Sequence, residues 1–167
     1  WHADPEVGEF SNDASLSPEE AHKIVSWVAA GSPKGEGADP LENFKVDLPK
    51  WYLGEPDKVI QIPTQKLVAE GVFDYRYVTI DNPFDRDVWL TASEIRPGNT
   101  EVLHHVIVTS HAAGRRRPAQ WITGYAPGTQ GQKYPAGSSV HLRKGHKLRL
   151  QLHYTASGKP ETDETQL

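Results

Sequence analysis

The chain has 167 residues, 37% of them hydrophobic, with 13 Pro and 14 Gly, which suits one domain with or without a small appendage, rich in strands and turns. A net charge of −4 gives no electrostatic footprint for nucleic acid, the basic run at residues 115–117 reads as a solvated turn, and no apolar run approaches a membrane span. Cys and Met are absent, which excludes disulfides, thiolate zinc sites and haem attachment within the chain; starting at Trp1 without any Met, it is expected to be a piece of something longer.

The first element predicted is a helix in "SLSPEEAHKIVSWVAAG", over residues 18–30. Ser17 serves as N-cap, Pro18 takes the first helical position, Glu20 closes a capping box and Gly31 follows the end. Ala21, Ile24, Val25 and Val28 recur at helical spacing and predict one buried stripe. "GSPKGEGADPLENF" then has linker composition, so a boundary is expected near residue 45, with a helical segment at 1–45 and a second domain at 46–167.

Beyond the linker the pattern turns to strands: "KVIQIP", "VFDYRYVTI", "RDVWLTASEI", "VLHHVIVTS", "SSVHLR" and "KLRLQLHYT". They are short, β-branched or aromatic, and punctuated by Pro, Gly, Asn and Asp. Six such segments without an intervening helix predict an antiparallel sandwich or jelly roll rather than a βαβ sheet.

Two of these strands carry histidines that strand periodicity does not explain. His104 and His105 are adjacent, and successive side chains in a regular strand point to opposite faces, so both reach one partner only if the strand is bulged or bent. In the last strand Leu148, Leu150, Leu152 and Tyr154 alternate onto one face, which leaves Arg149, Gln151 and His153 on the other. Neutral imidazole is a common metal ligand, and a three-nitrogen site with open positions suits copper, with zinc as competitor. The bland reading stands beside it: one of the pair a hydrogen-bonded core residue, the other a surface residue.

No carboxylate adjoins the set in sequence, though Glu101 or Asp74 is a candidate to approach in space. His141 and His146 flank a turn and read as surface residues, with a second metal site as a lesser alternative; His111 reads as a loop or outer-shell residue, and His22 lies on the polar side of the helix. His2 would suit an N-terminal copper grip only if Trp1 were removed.

The segments "RPGNTEVLHHVIV", "GYAPG", "YPAGS" and "LQLHYT", in that order, resemble the N-terminal half of the copper type II, ascorbate-dependent monooxygenases, the family of peptidylglycine α-hydroxylating monooxygenase and dopamine β-monooxygenase. The resemblance spans roughly residues 53–155 and implies an eight-stranded antiparallel jelly roll whose copper is bound by His104, His105 and His153. It implies further that this half stores and transfers an electron, with ascorbate or another reductant as its source. Hydroxylation of a C–H bond would need a second copper domain with two histidines and a methionine, a ligand that a chain without Met cannot supply. Residues 1–45 look like the closing stretch of a bacterial c-type cytochrome domain, with the haem attachment residues upstream. The expected setting is periplasmic or extracellular, and the expected partners are a second copper domain and a haem domain. The alternative is a non-catalytic β-sandwich module for assembly, its histidines empty or holding a structural metal.

Overall fold

Helix α1, Pro18–Ala29, begins where its local signals put it. The Ser17 hydroxyl accepts from the Glu20 amide at 3.2 Å and the Glu20 carboxylate accepts from the Ser17 amide at 2.8 Å, so two otherwise orphaned donors are satisfied reciprocally. Gly31 follows at φ 84°, a left-handed conformation that Gly adopts without a Cβ penalty. The structure is a computed structural model and describes every residue except 1–3, 5, 10–12, 14, 116, 117 and 130. The chain divides into two compact units, Trp1–Val46 and Asp47–Leu167.

The expected buried stripe of α1 is not observed: no residue of the helix is buried, and Ile24, Val25 and Val28 are all exposed. Residues 32–46 are rich in Gly, Pro and charge, form no regular element, and provide no second layer to cover the stripe. A twelve-residue helix without buried contacts is marginal in water. Its amides are therefore expected to exchange roughly 10³-fold faster than those of the central strands described below, measured by hydrogen–deuterium exchange with mass spectrometry. Equally slow exchange in both places would contradict this.

The described residues of the second unit form ten strands: β1 (Gln65–Leu67), β2 (Arg76–Asp81), β3 (Val88–Leu90), β4 (Ala92–Ser93), β5 (Leu103–His111), β6 (Gln120–Tyr125), β7 (Gln132–Lys133), β8 (Val140–Leu142), β9 (Lys147–Tyr154) and β10 (Glu161–Asp163). One four-stranded antiparallel sheet in the order β2-β9-β5-β6 carries the core, accompanied by three two-stranded ladders, β1-β10, β3-β8 and β4-β7. The period-2 pattern of β9 decides which face is inside: Leu148, Leu150, Leu152 and Tyr154 are buried, and Val106, Val108 and Leu103 of β5 join them.

The expected jelly-roll sandwich is overturned. The described residues form several small antiparallel sheets, none of which closes into a barrel or curls as a jelly roll requires. Most flanking strands are only two or three residues long, so the pairing that would extend them into a second large sheet is missing. The segment "KVIQIP" shows why: Ile60 exchanges two backbone hydrogen bonds with Leu167, and Gln61 makes only an isolated bridge to Gln166, which is shared with Arg96. The Ile62 amide still donates to the Thr165 carbonyl, but Pro63 has no amide to donate, and the two segments pair again only from Gln65 with Asp163, as the short β1-β10 ladder.

Candidate metal centre

The two strands that carry the histidines are neighbours at the centre of the sheet, and their register answers the question raised by the adjacent pair. Leu103 pairs with Tyr154, yet the next pair is His105 with His153. Two residues of β5 therefore oppose one step of β9, and His104 is the extra residue of a bulge. Below the bulge β5 alternates regularly, with Val106, Val108 and Ser110 inward and Ile107 and Thr109 outward. The bulge turns His104 to the side already occupied by His105 and His153, so the three imidazoles meet on the outer face of the sheet.

Their geometry is tight. His104 Nδ1 lies 3.2 Å from His105 Nδ1 and 3.3 Å from His153 Nδ1. Ring centroids are 4.9–5.5 Å apart, and one ligand atom from each residue lies within 4.8 Å of the others. A ring nitrogen carries either one hydrogen or one lone pair, so His104 Nδ1 cannot serve two nitrogen neighbours well at once. A cation between the three nitrogens removes that conflict: metal–nitrogen bonds of about 2.0–2.1 Å at tetrahedral angles require nitrogen separations of about 3.3–3.4 Å. The cluster can thus hold a metal ion, and three donors leave room for a further ligand.

The surroundings of His105 favour its neutral ring. Burial is the main cause that lowers the His105 pKa, aided by the His153 charge and, more weakly, that of His104, while a hydrogen bond with the Gln151 side chain opposes the shift. Tyr75 packs its ring on His153 and His105, at centroid distances of 4.8 and 5.7 Å. One rung further along the outer face, Gln151 donates to the Tyr77 hydroxyl at 2.9 Å, and the Arg149 guanidinium lies 4.1 Å above the Tyr77 ring centroid. Sequence reasoning missed Tyr75 and Tyr77. Their period-2 spacing before and within β2 was the available signal, but it points to the histidines only once β2 is known to pair with β9.

The other described histidines stay outside the cluster. His141 Nε2 lies 2.9 Å from Asp87 Oδ2 and its ring stacks on Trp89. Of the two readings of His111, loop residue or outer-shell group, the first is not met: it is the buried last residue of β5, and its Nδ1 donates to the Ala112 carbonyl at 3.1 Å. His146 is half-buried, with its Nδ1 out of solvent, and His22 sits on the exposed helix 3.4 Å from the Ser26 hydroxyl. Neither Asp74 nor Glu101 joins the metal cluster among the described residues; Glu101 pairs with Lys159 at 3.2 Å. The reading of His2 falls outside the described residues, as do Arg116 and Arg117 of the basic run.

No protein-family model matches the chain, and no curated protein matches it in sequence. Fold and site together define a mostly-β chain with a three-imidazole cluster able to hold a metal ion. Among the described residues no helix is long and apolar enough to cross a membrane.

Proposed function

We propose that the chain is a copper-binding, electron-transfer half of an ascorbate-dependent monooxygenase-like protein, with His104, His105 and His153 as the ligands. The observation that carries the reading is the bulge at His104, which brings adjacent imidazoles to one side of the sheet with nitrogen separations that suit a small cation. The donor chemistry favours copper: imidazole nitrogens suit either oxidation state, and affinities of nitrogen sites for first-row divalent ions peak at Cu(II). Copper held there would supply a one-electron store.

The residues of the chain do the rest. Strand pairing fixes His105 opposite His153, the bulge fixes His104, and Tyr75 covers one side of the cluster, so the donors are preorganised on rigid elements. The same reading makes residues 1–45 the end of a c-type haem domain, expects a second copper domain as partner, and sets the protein in the periplasm or outside the cell. Its support there is the motif resemblance alone.

The test loads purified chain with Cu(II) and follows its electron paramagnetic resonance. About one copper per chain is expected, with nitrogen hyperfine structure, and ascorbate should bleach the signal. No hydroxylated product should form on a peptidyl-glycine or phenethylamine substrate, since a thioether ligand is impossible in a chain without Met. Coupled hydroxylation that disappears in His104→Ala would overturn the electron-transfer role. Failure to bind copper in preference to zinc would favour the assembly-module reading with a structural metal.

A further inference from the structure

The four-stranded sheet ends in β2 on one side and β6 on the other, and the two edges are treated differently. At β6 the edge is covered: Ile122 and Thr123 are 2% and 1% exposed, and the Tyr134 hydroxyl donates to the Ile122 carbonyl at 2.6 Å. At β2 it is open. The strand pairs with β9 on one side, and residues 76–81 have no other backbone partner among the described residues. Tyr77 is 51% exposed, and Val78 and Ile80 are only partly buried, although they pack on a core whose β9 members Leu148, Leu150 and Leu152 are closed to solvent.

The β2 edge also lacks the features that blunt an edge against pairing. Its register with β9 runs through all six residues without a bulge, and it holds neither Pro nor Lys. Its only charges, Arg76 and Asp81, stand at its two ends, and Asp81 is already paired with Lys147. Pro83 marks the end of the stretch that can carry a ladder. A regular edge of this kind presents a row of free N–H and C=O groups to which another strand can add.

The sequence of β2 says which strand fits. A two-fold axis perpendicular to the sheet and passing through Thr79 sets β2 antiparallel to the β2 of a second copy. Val78 then lies opposite Ile80 of that copy, and Ile80 opposite its Val78, both on the inner face, where they complete each other's burial. On the outer face Thr79 meets itself and Tyr77 meets Asp81, whose charge Lys147 balances, so no like charges oppose one another. A slip of one residue would set Val78 against the exposed Thr79 and is disfavoured for that reason.

We propose that β2 is a self-association edge, at which two copies of the chain join their sheets through antiparallel β2 pairing. The contact is isologous and closes as a dimer. The experiment is sedimentation velocity on the full chain from about 1 to 500 μM, in the presence of a chelator so that metal ions do not bridge histidines of different copies. A reversible rise from 18.6 kDa toward twice that mass is expected, with a dissociation constant on the order of 10–100 μM, because one pair of strands falls short of a standard interface. Thr79→Lys, at an exposed position outside the core, puts like charges opposite each other and should weaken the dimer about fivefold. Because the chain has no Cys, Thr79→Cys gives a single reporter: its two copies sit within disulfide reach across the axis, and oxidation should link them at least about tenfold faster than it links Ser138→Cys, an exposed position away from β2. A chain that stays monomeric at about 500 μM overturns the proposal and leaves the edge to a strand of another protein. Unchanged association in Thr79→Lys, or equal cross-linking of the two cysteine variants, also overturns it, since association then uses another surface.

Discussion

His153→Ala is expected to lower copper affinity by at least about 100-fold while the protein keeps its fold. Loss of an outer partner of a metal ligand alone typically costs 10–100-fold, and a ligand itself costs more. The fold should survive because His153 stands on the outer face of β9 and contributes nothing to the core; its neighbours Leu152 and Tyr154 are buried on the other side. Competition titration against a chelator of known affinity gives the first quantity, and circular dichroism with a thermal melt gives the second. His141→Ala is the matched control: it removes an imidazole that pairs with Asp87 and stacks on Trp89 but is absent from the cluster, so copper affinity should stay within about threefold. Full copper retention in His153→Ala would remove the third ligand from the site.

The centre of the sheet was legible from the chain because alternation in β9 is strict, and every inward residue it names is buried. The adjacent histidines were legible only as a conflict. Its resolution depends on the register between β5 and β9, which local periodicity does not contain: the same ten residues would split the pair across two faces if Leu103 and His105 met β9 without the bulge. β6 was missed for a related reason. Gly124 interrupts its apolar pattern, yet the gap is filled by the Trp121 ring, which a Cβ at Gly124 would meet at 3.0 Å. A second register shift between Val108 and Thr109 lets Ile122 and Thr123 both face inward.

The helix shows the opposite balance. Its start is set by two residues three apart, Ser17 and Glu20, and such local chemistry reads directly from sequence. Its buried face depended on a partner elsewhere, and the stripe is exposed in the fold. The jelly roll failed at the same level. Short apolar segments were identified, but whether they extend into a second broad sheet is decided by pairing over long separations, and here they close as separate ladders.

Replacement of Asp163 by Leu is expected to destabilise the second unit by about 3–5 kcal/mol, because it leaves several buried polar groups without partners. Asp163 is 2% exposed, and its carboxylate accepts from the Tyr154 hydroxyl at 2.8 Å, the Asn99 amide at 2.9 Å and the Thr165 hydroxyl at 2.8–3.0 Å. Burial and the neighbouring carboxylate push the Tyr154 phenol well above its usual range, which keeps it a donor. These bonds tie the end of β9 to β10 and to the loop that leads into β5, the two approaches to the histidine bulge. Tyr154→Phe removes a single donor and should cost less, about 1–2 kcal/mol. Both values can be read from urea unfolding monitored at the strands, with the slope against denaturant unchanged if the fold is the same. Copper affinity of Tyr154→Phe should stay within about threefold of the parent, since Leu103 and His105 keep their backbone pairing to β9. A cost below about 1 kcal/mol for Asp163→Leu would mean that the buried carboxylate does not anchor this end of the sheet, and that the bulge is held by strand pairing alone.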